Sequence, residues 1–324
     1  MKIQHFLLLL LPILLIGCTD PTNSSTNQKV GLLLEDTIDD QGWNSKGYQG
    51  LLNIHTNMNT EVVFKEEMDS EEKVHHAVAE FVEDDVRLIF GHGRIFADFF
   101  TDLGKTYPDI HFVSFNGDVE GENVTSLHFD SYSMGFFAGM IASTMSKTGD
   151  VGVIAAFPWQ PEVEGFKDGA KIGNSKTSVH VKFVDDWTDG ERALGYFDEL
   201  KKENVDVVYP TGDGFHVKVI EEAKREGIFA IGFVGDQSDL GESTVLTSTV
   251  QHVDHLYEIV AKQYYNNELE AGNVSYDFQD GVISLGQFSP KIPEEIQVQI
   301  EDAVNTYIET GELPTKPFSK EKKA

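Results

Sequence analysis

Lys29–Leu51 reads KVGLLLEDTIDDQGWNSKGYQGL, and the order of its parts decides the fold class. Val30 to Glu35 is an apolar run too short for a globular helix and suited to a strand buried on both faces of a parallel sheet. Thr37 to Gly42 then gathers carboxylates, an amide and a glycine, which is turn chemistry. Asn44 or Ser45 is placed to cap a helix carrying Tyr48, Leu51, Leu52 and His55. A strand, turn and helix in this order put the turn at the carboxyl end of the strand, where open α/β sheets bind ligands. Asp36, Trp43 and Asn44 are therefore candidate ligand contacts. The plainer alternatives are that Trp43 is a hydrophobic staple and Asp36 an ordinary turn residue.

Downstream, the same rhythm repeats. Apolar runs at Glu61–Phe64, Val86–Phe90, Ile110–Phe115 and Val124–Phe129 are separated by helix-period segments Ser70–Glu83 and Ile95–Tyr107. After a small-residue helix at Ser131–Lys147, strands are expected at Val151–Ala156, Ser178–Val184, Val205–Tyr209 and Ile228–Phe233, with helices at Glu162–Ile172, Asp189–Lys202 and Phe215–Glu226. Strands spaced by such helices make βαβ units and parallel sheets with right-handed crossovers. Ten or so strands strain a single sheet, so two doubly wound lobes are the better solution. Past Asp236, strands at Thr244–Val250 and Val282–Gly286 and helices at Val253–Asn266 and Pro293–Glu309 are pieces returned to those sheets.

The chain has 324 residues, 40% of them hydrophobic, enough for two cores of ordinary size. Its 25 basic and 54 acidic side chains give a net charge of -29, which repels phosphate backbones and argues against a nucleic-acid partner. At the amino terminus, Lys2 precedes an apolar run from Phe6 to Ile16, of signal-peptide length and short of the roughly 20 residues a membrane-spanning helix needs. The ending Leu15-Ile16-Gly17-Cys18 resembles a bacterial lipobox, and Cys18 is the sole cysteine of the chain, so lipidation at Cys18 and a membrane partner through that anchor are expected. Thr19 to Asn27 reads as a tether and Thr315 to Ala324 as a polar tail.

Catalytic signatures are missing. The sequence has no G-x-S-x-G, P-loop or H-E-x-x-H, and the pairs His76/Glu80 and His252/His255 supply too few ligands for zinc. No enzyme activity, cofactor or metal is expected. What remains is a set of strand ends: Asp36, His92 in Gly91-His92-Gly93, Asn116 before Gly117, Trp159, Trp187 after Asp185-Asp186, Asp213 in Thr211-Gly212-Asp213-Gly214, and Asp236. Aromatic faces mixed with amides and carboxylates suit a flat ring held by stacking and hydrogen bonds. Each member taken singly also reads as a turn residue or helix cap.

Asp39-Asp40-Gln41-Gly42-Trp43-Asn44, Pro161-Glu162-Val163 through Gly169-Ala170-Lys171, Val207-Val208-Tyr209 through Gly214, Asp236-Gln237-Ser238 and Val245-Leu246-Thr247-Ser248 together resemble the basic membrane protein family of lipoproteins, over Lys29 to Pro314. The resemblance implies a type I periplasmic-binding-protein fold and a purine nucleoside or related heterocycle as ligand, delivered to an ABC permease. It also implies three hinge segments, near His128–Asp130, Val250 and Gly272. The corresponding boundaries are 1–18 for the signal, 19–28 for the tether, 29–129 plus 251–272 for the first lobe, 130–250 plus 273–314 for the second, and 315–324 for the tail. By position, the family's first aspartate falls on Asp36, its aromatic-amide pair on Trp43 and Asn44, and its second aromatic near Trp187. Its base-reading aspartate aligns with Asn116, its ribose-binding aspartate with Val234, and its lysine with Gln251. Each lost charge-assisted bond is worth about 1.5–3 kcal/mol, so the grip on a sugar is expected to weaken. The leading expectation is a lipid-anchored solute-binding protein on the outer face of a bacterial cell membrane. A regulatory lipoprotein with a degenerate pocket is the second.

Overall fold

In the computed structural model, residues 28–38 and 43–318 are described; Cys18 and the signal segment lie outside the described residues. The opening strand β1 (Lys29–Leu34) runs between two parallel neighbours, with Val30 opposite Val62 of β2 (Glu61–Lys65) and Leu88 of β3 (Leu88–His92). β4 (His111–Phe115), β5 (Val124–Phe129) and β11 (Gly272–Tyr276) complete an all-parallel sheet in the order β11-β5-β4-β3-β1-β2. Burial on both faces explains the unbroken apolar reading of β1. Leu32, Leu34, Phe90 and Phe115 meet Leu51 and Ile54 of α1 (Trp43–Met58) and Leu256 and Tyr257 of α8 (Val253–Tyr265). The alternate residues Leu33, Ile89 and Phe112 meet Val78 of α2 (Glu71–Glu83) and Phe100 of α3 (Phe96–Thr106).

The second sheet repeats the plan. Its order is β12-β10-β9-β8-β6-β7, from β6 (Asp150–Ala155), β7 (Ser178–Phe183), β8 (Val207–Thr211), β9 (Phe229–Val234), β10 (Val245–Gln251) and β12 (Ile283–Leu285), parallel throughout except where β12 runs against β10. The helices α6 (Gly190–Lys202) and α7 (His216–Glu226) cover one face; α4 (Ser131–Met145) and α5 (Pro161–Gly173) cover the other, and α9 (Glu294–Thr310) adds Ile296 and Ile300 to the core.

The chain passes from the first sheet to the second after Phe129, returns after Gln251 and crosses again after Tyr276. The expected third crossing at Gly272 is corrected by β11, which pairs with β5 from Gly272↔Thr125 to Tyr276↔Phe129 and so places residues 273–276 with the first sheet. β11 escapes a search for apolar runs because it is an edge strand whose Asn273 and Ser275 are exposed. The expected cap of α1 also shifts. The helix begins at Trp43, so Asn44 and Ser45 lie within its first turn rather than ahead of it.

The small residues of α4 have a packing cause. α4 is buried from Ser133 to Ser143, and α5 crosses it with backbones in direct contact. A methyl group placed on Gly169 would stand 1.9 Å from the carbonyl oxygen of Phe136, and one on Gly135 2.0 Å from that of Glu162. Neither backbone can yield without parting the helices. Gly169→Ala is therefore expected to lower stability by about 3 kcal/mol, the upper range of overpacking costs. Gly195→Ala, at an exposed site of α6 with open space around it, should instead raise stability by about 0.5–1 kcal/mol through helix propensity. Urea midpoints of the two variants check the contrast.

Candidate ligand-binding site

The carboxyl ends of both sheets carry the residues singled out from the sequence. Trp43 opens α1 and lays its ring on the imidazole of His92, with centroids 4.2 Å apart and planes 17° from parallel. The ring edges of Phe115 and Phe129 close around it at 5.8 and 6.5 Å. His92 ends β3, is fully buried, and is bonded on both sides: Nε2 lies 2.8 Å from the Trp43 carbonyl and Nδ1 2.9 Å from the Tyr257 hydroxyl. A carbonyl only accepts, so Nε2 carries a proton and donates it to Trp43. His92 thus holds the indole from behind. Gly47 permits this, since a methyl group there would sit 2.6 Å from the imidazole. Asn44, one residue on, is 8% exposed.

On the second lobe, Trp187 follows β7 and packs edge-on to Phe157 (5.3 Å) and Trp159 (5.8 Å), which stack on each other at 5.5 Å. Trp159 and Trp187 are 55% and 37% exposed, leaving faces open to an incoming ring. The loop bearing Phe157 and Trp159 is tied down by Gln160. Its side-chain oxygen accepts from the Phe157 amide, and its nitrogen donates to the Thr211 carbonyl and to Glu162.

Contacts between the lobes fall among these residues. The Trp43 amide donates to the Asp213 carboxylate at 3.2 Å, and the Arg94 guanidinium of the first lobe lies 5.6 Å from the Trp159 ring centroid. The structure therefore brings Trp43, Asn44, His92 and Asp213 into one group and Trp187 into a second. Among the described residues, no ring contact connects the indoles of Trp43 and Trp187.

Asp36, Asn116 and Asp236 are exposed at the strand ends. Asp36 accepts from the Thr37 amide, and Asn116 has φ 58° in the left-handed region, where asparagine is tolerated. Asp236 bonds within its own lobe, accepting from the Ser238 amide at 3.1 Å and the Gln287 amide at 2.9 Å. Val234 is 7% exposed with φ 65°, a strained conformation for a β-branched side chain, and such strain clusters at ligand sites. Gln251 is buried at the second crossing, with its amide nitrogen 3.5 Å from the Met134 sulfur.

Sequence reasoning passed over Tyr257, Arg94, Lys46 and the paired role of Gln160 and Glu162. Tyr257 belongs to the returning helix, so its bond to His92 has no local signature. Burial lowers the Lys46 ammonium from its usual range, opposed by the carboxylates of Asp254 and Asp213. Burial raises the carboxyl of Glu162, 4% exposed, to about 7, with its own backbone N–H and Gln160 pulling the other way.

Two parallel-sheet lobes joined by three crossings, with polar and aromatic residues gathered at the strand ends, define a two-lobe fold of the type I periplasmic-binding kind. The chain belongs to the Bmp family, the ABC transporter substrate-binding proteins of PnrA-like type, whose model matches residues 27–316. It is 48% identical to the transcriptional activator protein med of Bacillus subtilis (strain 168), over 93% of this chain and 95% of that protein. It is 25% identical to basic membrane protein A1 of Borrelia garinii subsp. bavariensis, covering 90% and 89% of the two chains. Among solved structures it resembles a transcriptional activator of the comK gene from Bacillus halodurans, at 58% identity and TM-score 0.84, covering 88% of this chain and 99% of that one. Family membership makes it a binding protein rather than an enzyme, of an extracytoplasmic class. No helix among the described residues is long and apolar enough to cross a membrane.

Glu162 gives this site a pH signature. Its folded value of about 7 lies above the ordinary 4.5, so its stabilising contribution is complete below about pH 4.5 and is lost as pH rises through 7. Above that the ionised carboxylate costs up to about 3 kcal/mol. Glu162→Gln keeps an acceptor for Gln160 without the charge. Its stability from pH 5 to 8 should lose this slope and exceed the wild type at pH 8, as chemical denaturation across that range will read.

Proposed function

We propose that this protein is a lipid-anchored solute receptor on the outer face of the bacterial cell membrane, which closes on a small planar heterocycle and presents the closed form to an ABC permease. The observation that carries the reading is the pair of aromatic platforms, Trp43 backed by His92 on one lobe and Trp187 with Phe157 and Trp159 on the other. Stacking adds about 0.5–1.5 kcal/mol per aromatic pair beyond area burial. Asn116 offers a ring edge both a donor and an acceptor where a carboxylate only accepts, and Asp36 and Asp236 add acceptors at the rim. Val234 and Gln251 stand where the resemblance puts the family's sugar-binding aspartate and lysine. This supports a ligand read by its ring more than by its ribose.

Calorimetric titration with adenosine, inosine and the free bases tests the reading. Free bases should compete with nucleosides, and a Val234→Asp, Gln251→Lys double variant should bind nucleosides at least tenfold more tightly, the yield of one restored charge-assisted bond. Aspartate accepts the left-handed backbone at 234 more readily than valine, so the variant relieves strain there. Tight nucleoside binding by the wild type that ignores changes at Trp43 and Trp187 would place the site elsewhere.

A second reading comes from two similar proteins, both named as transcriptional activators. In it the closed form signals to a regulatory partner instead of feeding a permease. The anchor is shared by both readings. Cys18→Ala should give an uncleaved precursor or protein released from the membrane. Mass analysis of the mature terminal peptide settles the matter, and a mature terminus without acyl mass removes the anchor.

A further inference from the structure

Arg94 sits in the turn between β3 and α3, and its backbone is fixed there: its carbonyl accepts the amide of Ala97 in the first turn of α3. The turn after β4 packs against it. A methyl group on Gly117 would stand 2.9 Å from the Arg94 carbonyl oxygen and 3.3 Å from its Cγ, so the Arg94 stem runs alongside the turn that carries Asn116. The guanidinium then reaches the second lobe, its carbon 5.6 Å from the ring centroid of Trp159. Phe157 stacks on that indole with planes 11° from parallel, and the indole is still exposed. An exposed planar cation, rooted beside Asn116, thus lies on the aromatic lip where a solute ring would stack.

The two side chains read a ring edge differently. An amide can turn its oxygen or its nitrogen to a partner, so Asn116 meets a carbonyl or an amino substituent alike. A guanidinium has donors only, set in a fork that matches two adjacent acceptors. The oxo edge of a purine presents two acceptors side by side and suits arginine, whereas the amino edge presents a donor beside an acceptor and suits asparagine. We propose that Arg94 is a specificity-determining residue of the cleft: its guanidinium passes from the Trp159 ring to the edge of the bound heterocycle and selects an oxo-substituted ring over an amino-substituted one. The inference rests on the solute-binding reading above and narrows its solute class. It needs no charge on the solute, since a carbonyl oxygen and a ring nitrogen accept from the fork while the ring stays neutral.

Calorimetric titration of the full chain with hypoxanthine and with adenine, both neutral at ordinary pH, tests the assignment. The wild type should bind hypoxanthine about tenfold more tightly than adenine, the yield of one charge-assisted bond. Arg94→Met keeps an unbranched stem beside Gly117 without the donors; it should bind hypoxanthine about tenfold more weakly and adenine within about twofold of the wild type, so that the preference disappears. Arg94→Lys keeps the charge without the fork and should recover only part of the preference. Equal weakening of both bases in Arg94→Met would make the side chain a packing group, and equal tightening would make it a plug on Trp159; either overturns the inference, as does a wild type that binds the two bases alike. That last result leaves the solute-binding reading standing. A wild type that binds neither base overturns the heterocycle reading itself, and the inference with it.

Discussion

The fixed point of the first lobe is the imidazole of His92, held between the carbonyl of Trp43 and the hydroxyl of Tyr257. The three groups come from distant parts of the chain: Trp43 from the opening helix, His92 from the third strand, and Tyr257 from the helix that returns after the second crossing. A buried ring bonded on both nitrogens has one orientation, and the indole stacked on it inherits that orientation. Tyr257 itself stacks on Phe90 at 4.4 Å and on Phe115 at 5.4 Å, and its ring meets the glycine of α1 at Gly50. Trp43 is thus the half-buried outer member of a stack rooted in the core. Pre-organisation of this kind lowers the ordering cost of binding.

The second lobe holds its platform by a different device. There the rings sit on a short loop, and Gln160 pins that loop to the end of β8 through the Thr211 carbonyl and to α5 through Glu162. α5 can reach this position because its glycines let its backbone lie against α4. A chain of contact therefore runs from the α4–α5 crossing through a buried carboxyl to the aromatic lip. Met134 of α4 also touches Gln251 at the second crossing, so the same helix pair borders the hinge.

The fold was legible because burial writes it into local pattern. β1, β3 and β9 read as apolar runs, the helices between them carry the expected period, and family motifs spread along the chain agree in order. β11 was not legible, since Gly272–Tyr276 is an edge strand whose alternating exposure hides it, and with it went the position of the third crossing. The candidate site was legible as a list of strand ends, because chemistry in an open α/β sheet collects there. The division of labour among its members was not. Whether His92 faces the cleft or supports Trp43 depends on Tyr257 arriving from 165 residues away. Asp236 reads as a ligand carboxylate in sequence, and in space the same exposed carboxylate also accepts from the backbone of Ser238 and Gln287.

Charge bears on the solute that the proposed site would take. The chain carries a net charge of -29, and Asp36, Asp213 and Asp236 stand at the strand ends. Gln251, where the resemblance puts the family's lysine, has its amide against a sulfur atom at the second crossing. Among the described residues, Lys46 interacts with Asp213 and Asp254, and Arg94 lies against the Trp159 ring. An anionic solute would enter against this field, a penalty that grows as water is excluded on closure. A neutral ring loses little on entry and gains the two aromatic platforms. Under the proposed reading, the electrostatics and the stacking geometry favour the same solute class, an uncharged heterocycle, from independent features of the chain.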